Sequence, residues 1–442
     1  MPFAPPRARL LVSLAIALIS IVYLAQIATP LRLVNDGVDY LLQASSAIDG
    51  HGFLVHGVRS MRPPGYPALI WTLAQAGIAN SWTIVALNCL LLSIGCCASY
   101  YLLRDSLGLS PNAAQFLCLL TLASMLMVRN VTYPLSDICF FGTSVPCVLL
   151  LTKAEASSGV RRFAQLAVVI PLIILSLEIR TIGIVLLPAF AWAVIGGLAG
   201  LRKIQPSLRR YRFLVIALSL TALTIATTIF FHSRYWQFNV PIFRHRGLAH
   251  SIIANIALHT SEWGEITVNA PLSKLPHILA PALQIGAAQI ILQIIGAAAI
   301  LACLIGLWTK LRAPDSLFIY LLGFGAIVFV YPWADARLWL PILPFLIGYT
   351  FLGLRHIIAP AILRPVSIIY CALFCLLGIA ALAYSTRLTF AGPRFPDLYG
   401  DGNFRATYKL VLLNEQPINP ADIDPDALYL LHRYDRRAST ER

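Results

Sequence analysis

Apolar runs of membrane-spanning length recur along almost all of this 442-residue sequence. About twenty such residues carry an α-helix across the hydrocarbon core of a bilayer, and inside lipid only helices and closed barrels satisfy their own backbone. The runs place spans at residues 10–29, 82–103, 113–128, 137–152, 163–178, 182–200, 213–231, 283–308, 317–333, 338–354 and 366–384, eleven in all. Charged residues make up 12% of the chain and hydrophobic ones 58%, with a mean hydropathy of +0.77, where a soluble domain carries about 25% charge. The expectation is an all-α polytopic membrane protein. Soluble enzymes, secreted disulfide scaffolds and disordered chains are excluded.

A net charge of +14 invites a nucleic-acid reading until the charges are placed on the spans. With the N-terminus inside, the inner segments are 1–9, 104–112, 153–162, 201–212, 309–316 and 355–365. They hold 15 of the 33 Lys and Arg, five of them being Arg202, Lys203, Arg209, Arg210 and Arg212, but only Asp105, Glu155 and Asp315 of the 19 acids. The rest of the chain is nearly neutral. This is the positive-inside pattern of a membrane protein, and it needs no nucleic acid. The nine cysteines all fall within spans, so no disulfide framework or zinc motif is visible.

Loop lengths set the organisation. Residues 1–384 form one transmembrane domain whose long loops, 30–81 and 232–282, both face outward, and 385–442 form an outer tail. The apolar stretch Ala427 to Leu431 suggests a small strand-bearing cap. The first span is too long to read as a cleaved signal peptide and is kept as a membrane helix. No repeat of fixed period or inverted symmetry stands out.

The first outer loop is the most informative segment. Val38, Leu41, Leu42, Ser45 and Ile48 follow helical spacing, and Gly50 is placed to end the helix. An amphipathic helix in the membrane interface is expected. Asp36 stands at its start, with Asp39 and Tyr40 three and four residues on, so all three can share a face. Alternatively, Asp36 only caps the helix. The run Arg62, Pro63, Pro64, Gly65, Tyr66, Pro67 then fixes an irregular backbone beside the bilayer, affordable there only if it borders a polar cavity. Arg62 is a fixed cation at headgroup depth, or else a plain lipid-phosphate anchor.

Polar sets recur at the same boundary: Tyr133-Pro134-Leu135-Ser136-Asp137, then Glu178 and Arg180, then Asp335 and Arg337 ahead of LWLPILP. Each acid–arginine set is equally a local ion pair, since charges at membrane depth find partners. In the segment 232–282, His232, His245, His250 and His259 lie among Trp236, Trp263, Glu262 and Glu265; it reads as an acceptor groove or as an interfacial loop with aromatic anchors. His51 and His56 read as loop residues before metal ligands.

Taken in order, these motifs resemble the GT-C superfamily of polytopic glycosyltransferases, in the branch of protein O-mannosyltransferases, aminoarabinose transferases and lipopolysaccharide glycosyltransferases. The matching pieces are Asp36 with Tyr40 and a helix followed by GHGF, RPPGYP, YPLSD, Arg180 and DARLWLPILP. The resemblance implies a GT-C-type bundle of about eleven helices with outward-facing loops and interfacial helices. It also implies transfer of a monosaccharide, with inversion, from a polyprenyl-phosphate donor to a hydroxyl of a glycolipid, polysaccharide or protein.

Under that resemblance Asp36 is the candidate general base, and Asp39 and Asp137 position acceptor or metal. Arg62, Tyr66, Arg180 and Arg337 are candidates for the donor phosphate, arginine suiting phosphate oxygens through its forked guanidinium. Many relatives carry a second acid directly after the first; here Gly37 follows and the next acid is Asp39. No cofactor is firmly implied, a divalent metal being the one candidate. The expected partners are the donor, the acceptor and membrane lipid; the expected site is the outer, periplasmic face of a bacterial inner membrane. The rival classes are an O-antigen polymerase or ligase and a lipid or polysaccharide transporter.

Overall fold

The computed structural model describes residues 6–201, 237–238, 240–241, 247–271, 285–311, 313–331, 333, 335–399, 404–416 and 419–436. Ten of the eleven expected spans coincide with helical segments. The span at 213–231, the basic loop residues Arg202 to Arg212, and His232, Trp236 and His245 lie outside the described residues.

Seven described helices are long and apolar enough to cross a membrane alone. In chain order the helices are α1 (Pro6–Ala25), α2 (Asn35–Ile48), α3 (Gly65–Gln75), α4 (Ser81–Asp105), α5 (Pro111–Leu122), α6 (Met125–Val131), α7 (Ser136–Ala156), α8 (Gly159–Ile179) and α9 (Leu186–Leu201). They continue as α10 (Leu248–Val268), α11 (Ile285–Trp308), α12 (Ser316–Val330), α13 (Leu343–Ile357), α14 (Pro360–Thr389), α15 (Arg405–Leu413) and α16 (Pro425–Tyr434). Between α2 and α3 a two-residue hairpin, β1 (Leu54–Val55) and β2 (Val58–Arg59), turns through His56 and Gly57. Both turn residues have positive φ, +50° and +77°, as a tight turn matched to strand twist requires.

Local chemistry explains the boundaries. Asn80 caps α4 by accepting from the N–H groups of Trp82 and Thr83, while Thr83 Oγ1 accepts from the Asn80 N–H, a reciprocal capping box. Two expected spans are not continuous helices. The run at 113–128 bends by 56° between α5 and α6, where Ser124 caps the second piece. The run at 338–354 begins as a 3₁₀ segment, Ala336–Ile342, because Asp335 caps it and Pro341 interrupts regular helix bonding.

Helix α7 lies at the centre, packed on α4, α8 and α9, and Ile138, Cys139, Phe140 and Phe141 are wholly buried. At the periphery α1 exposes Leu10, Leu11, Leu14, Leu18, Ile21 and Leu24 on one stripe, the face a helix turns to lipid. Two expectations for the outer segments are corrected. Residues 248–268 form the helix α10 packed along α11, not an interfacial loop, since Gly264 and Gly296 let the two backbones approach closely. The tail shows no strand among its described residues: Ala427 to Leu431 lie in α16, started by Asp424 as cap and Pro425 in the first turn.

Candidate active site

Helix ends bring the charged motifs together. Asp36 is the second residue of α2 and Asp137 the second residue of α7, positions where free N–H groups and the helix dipole favour a carboxylate. Arg180 follows the last residue of α8, in extended conformation, at the end that favours a cation. Asp335 caps the segment Ala336–Ile342 by accepting from the Arg337 N–H at 3.0 Å.

Asp36 is not a helix cap. The capping position is Val34, which makes no side-chain bond, and both Asp36 oxygens point into the cluster. Arg62 donates through Nη2 to Asp36 Oδ1 at 2.5 Å, and Arg337 donates through Nη2 to Asp36 Oδ2. The other side of Arg62 pairs with Asp39, and Arg337 Nε reaches Asp335 Oδ2 at 2.5 Å. Thus the local pair Asp335–Arg337 forms, yet Arg337 also bridges to a residue 301 positions away. Burial alone pushes the Asp36 carboxyl up. The guanidinium charges of Arg337 and Arg62 outweigh it and hold the group below the usual aspartate range.

Two close approaches set this geometry. A Cβ on Gly65 would lie 2.5 Å from the carbonyl carbon and oxygen of Glu178 and 2.7 Å from the Ile179 nitrogen, so the RPPGYP turn rests directly on the last turn of α8. This seats Arg62 and Arg180 at one place. A Cβ on Gly37 would meet Pro134 Cγ at 2.9 Å. The helix of Asp36 is therefore pressed against the YPLSD turn, and no second acid fits directly after Asp36. Asn88 of α4 holds that turn by donating to the carbonyls of Val131 and Tyr133 at 3.0 and 2.8 Å.

Not every candidate is exposed at the cluster. Asp137 is 2% exposed and pairs with Arg180, so it serves as a buried counter-ion and not as a group open to acceptor or metal. Tyr66 is wholly buried, its ring edge-on to Tyr40 with centroids 5.5 Å apart; it packs the site and does not line it. Tyr40 OH and Ser136 Oγ are 2.8 Å apart, tying α2 to the start of α7. The alternative of a local pair Glu178–Arg180 is not realised: Glu178 is exposed and has no ionic partner among the described residues, and Arg180 pairs with Asp137. His51 is exposed, and His56 lies 3.1 Å from Asp426 of the tail, so neither histidine joins the cluster. Among the described residues no group of three or more His, Cys, Asp or Glu is placed to hold a metal ion. With Asp36 and Asp39 both engaged by arginine, the residues present do not fit one.

One charged member escaped sequence reading. Arg129, exposed on α6, lies over the Tyr133 ring at 5.6 Å and within electrostatic reach of Asp335 and Arg337. It makes no ion pair among the described residues. Its signal is present in the sequence as a cation one turn ahead of Tyr133-Pro134. With it, the cluster holds Arg62, Arg129, Arg180 and Arg337 against Asp36, Asp39, Asp137 and Asp335, four charges of each sign among the described residues.

Below Arg337, Trp339 Nε1 donates to Glu262 Oε2 at 3.0 Å, and His259 Nδ1 sits 2.7 Å from the same oxygen. Phe329, Trp263 and Trp339 pack edge-on around this pair. The candidates Glu262, Trp263 and His259 are thus buried supports for the Ala336–Ile342 segment, not an open groove.

No protein-family model matches the sequence, and a search of curated proteins gives no match. Among solved structures, ArnT from Cupriavidus metallidurans in the apo state is similar with a TM-score of 0.52 at 13% identity, over 96% of this chain and 84% of that one. The same protein bound to undecaprenyl phosphate gives 0.52 at 14% identity, over 96% and 85%. The archaeal oligosaccharyltransferase AglB from Archaeoglobus fulgidus, in complex with an inhibitory peptide and a dolichol-phosphate, gives 0.46 at 13% identity, over 97% of this chain and 60% of its own. The chain shares the membrane-embedded helical fold of ArnT.

Proposed function

We propose that the protein is a glycosyltransferase that takes a monosaccharide from a polyprenyl-phosphate donor and passes it, with inversion, to an acceptor hydroxyl at the outer face of the membrane. The observation that carries this reading is Asp36 held between Arg62 and Arg337, which arrive from separate segments of the chain. The ArnT fold, seen with undecaprenyl phosphate bound, supports a lipid-phosphate carrier. The charge asymmetry of the loops supports a bacterial inner membrane with a periplasmic site.

In the reaction the acceptor oxygen forms a bond to the anomeric carbon as the bond from that carbon to the phosphate oxygen breaks. The hydroxyl proton passes to Asp36, and the electron pair leaves with the lipid phosphate. A guanidinium offers five N–H donors, and the aspartates use only some of them. Arg62 and Arg337 therefore keep donors for phosphate oxygens, with Arg129 beside them and Arg180 fixed by Asp137. Phosphate bound to Arg62 and Arg337 shares the positive charge that holds Asp36 ionised, so Asp36 becomes a stronger base when the donor is in place.

The test is sugar transfer by the purified protein in lipid from a panel of polyprenyl-phosphate monosaccharides, with Asp36→Asn alongside. One donor is expected to turn over, and the variant to lose turnover while still binding that donor. Retained activity in Asp36→Asn, or neither binding nor turnover across the panel, refutes the proposal.

A further inference from the structure

Residues 29–34 join α1 to the start of α2 as buried, mostly extended chain. Buried backbone outside regular structure needs a partner for each N–H and C=O. At Leu31 and Leu33 all four partners are side chains of the C-terminal segment. Asp435 Oδ2 accepts from the Leu31 N–H at 2.8 Å, and Tyr399 OH donates to the Leu33 carbonyl at 2.6 Å. Tyr408 OH serves twice, donating to the Leu31 carbonyl at 2.6 Å and accepting from the Leu33 N–H at 2.8 Å. Between them Arg32, itself buried, donates to Thr29, Thr132, Ser385 and Thr389, anchoring the stretch to the end of α14.

The same C-terminal segment holds the far end of α2. Arg433 donates to both oxygens of Asp49 at 2.8 and 2.9 Å, and Tyr434 OH lies 3.1 Å from Ser45 Oγ. Phe395, Tyr399 and Tyr408 pack ring on ring at 5.1 to 5.6 Å, which stiffens the clamp itself. Asp36 lies in the first turn of α2, three residues past Leu33, on a helix held at both ends.

We infer that the C-terminal segment is a positioning element of the active site, with Tyr408 as the residue that fixes Asp36 through the backbone of Leu31 and Leu33. The inference rests on the reading of Asp36 as the base. Removing one hydroxyl releases two backbone groups without changing the ring packing. Asp36 then moves relative to Arg62 and Arg337, and a misplacement of about 1 Å costs on the order of a hundredfold in rate.

The experiment compares wild type with Tyr408→Phe in lipid nanodiscs, by hydrogen exchange over residues 31–41 and by steady-state transfer from the donor that wild type uses. Faster exchange at Leu33 and through the first turn of α2, with kcat lowered about tenfold to a hundredfold and donor KM unchanged, is the expected result. Tyr399→Phe and Asp435→Ala, which each remove one of the remaining partners, repeat the measurement should Tyr408→Phe fail to fold, with the same split expected. A fall in thermal stability with kcat intact, or unchanged exchange in 31–41, overturns the inference. Wild type without turnover of any donor brings down the glycosyltransferase reading instead, and the catalytic sense of the clamp with it. Normal wild-type turnover beside an unaffected variant brings down the clamp alone.

Discussion

Replacing Gly65 by alanine tests the joint on which the arginine cluster is built. The added Cβ lies 2.5 Å from the carbonyl group of Glu178 and 2.7 Å from the nitrogen of Ile179, against an ordinary carbon contact of about 3.5 Å. Because these are backbone atoms inside the last turn of α8, no rotamer change relieves the contact. The RPPGYP turn must retreat by about 1 Å, and overpacking of this kind costs about 1–3 kcal/mol. The helix propensity of alanine over glycine returns at most about 1 kcal/mol, and less in a first turn, so the variant is less stable than wild type by roughly 1–2 kcal/mol.

Activity falls further than stability, because Arg62 is carried on the displaced turn; a shift of about 1 Å corresponds to about a hundredfold in turnover. The assay pairs a thermal melt in lipid with donor turnover. Gly325→Ala is the control, since nothing lies within 4 Å of its added Cβ. Wild-type melting and turnover in Gly65→Ala would show that the close approach does not exist and would refute the reasoning.

Further expected outcomes concern the same cluster. Gly37→Asp, which places a second acid directly after Asp36, should lower stability by about 1–3 kcal/mol through its clash with Pro134, and its activity should not respond to added divalent metal; metal-stimulated turnover would contradict this. The Asp36 carboxyl of the free enzyme is held below its usual range by Arg337 and Arg62, so its ionised form survives, and kcat/KM persists, as pH falls through the ordinary aspartate value near 3.9. Arg62→Gln removes part of that stabilisation and should move the acid limb of kcat/KM upward; an unmoved limb would show that Arg62 does not act on Asp36. Arg129→Ala should weaken binding of lipid phosphate by about tenfold, the share of one charge-assisted hydrogen bond, with no loss of melting temperature, and unchanged affinity would remove Arg129 from the phosphate site.

Hydropathy made the membrane helices legible, because the cost of an unpaired backbone in lipid leaves few ways to read a twenty-residue apolar run. It could not show the bend at Ala123-Ser124, where the apolar pattern continues while Ser124 restarts the helix. The order and common face of Asp36, Arg62, Asp137, Arg180 and Arg337 were also readable, since each motif sits at a span boundary on one side. Their pairing was not. Sequence proximity suggested Glu178 for Arg180, but the extended backbone at Arg180 turns its side chain across to Asp137.

Tyr66 and Asp137 looked like ligand contacts because polarity at a span boundary does not reveal which way a side chain faces. The tail's helix carried a readable start in Asp424-Pro425, which the short apolar stretch Ala427 to Leu431 obscured. Partners separated by hundreds of residues, such as Tyr408 with Leu31 and Leu33, leave no trace in local pattern at all.

The balance of four arginines against four aspartates bears on competition with the surrounding bilayer. Anionic phospholipids outnumber any sugar carrier, and bare guanidinium groups at headgroup depth attract them. A cluster whose described charges balance exerts little pull at a distance, since it carries no net charge and salt screens the remaining local field within about 8 Å. Bulk lipid therefore gains little by approaching, whereas the proposed donor can still use the guanidinium N–H groups that the aspartates leave free. Under the proposed function, selectivity against the commonest phosphodiester of the membrane begins in these resting ion pairs.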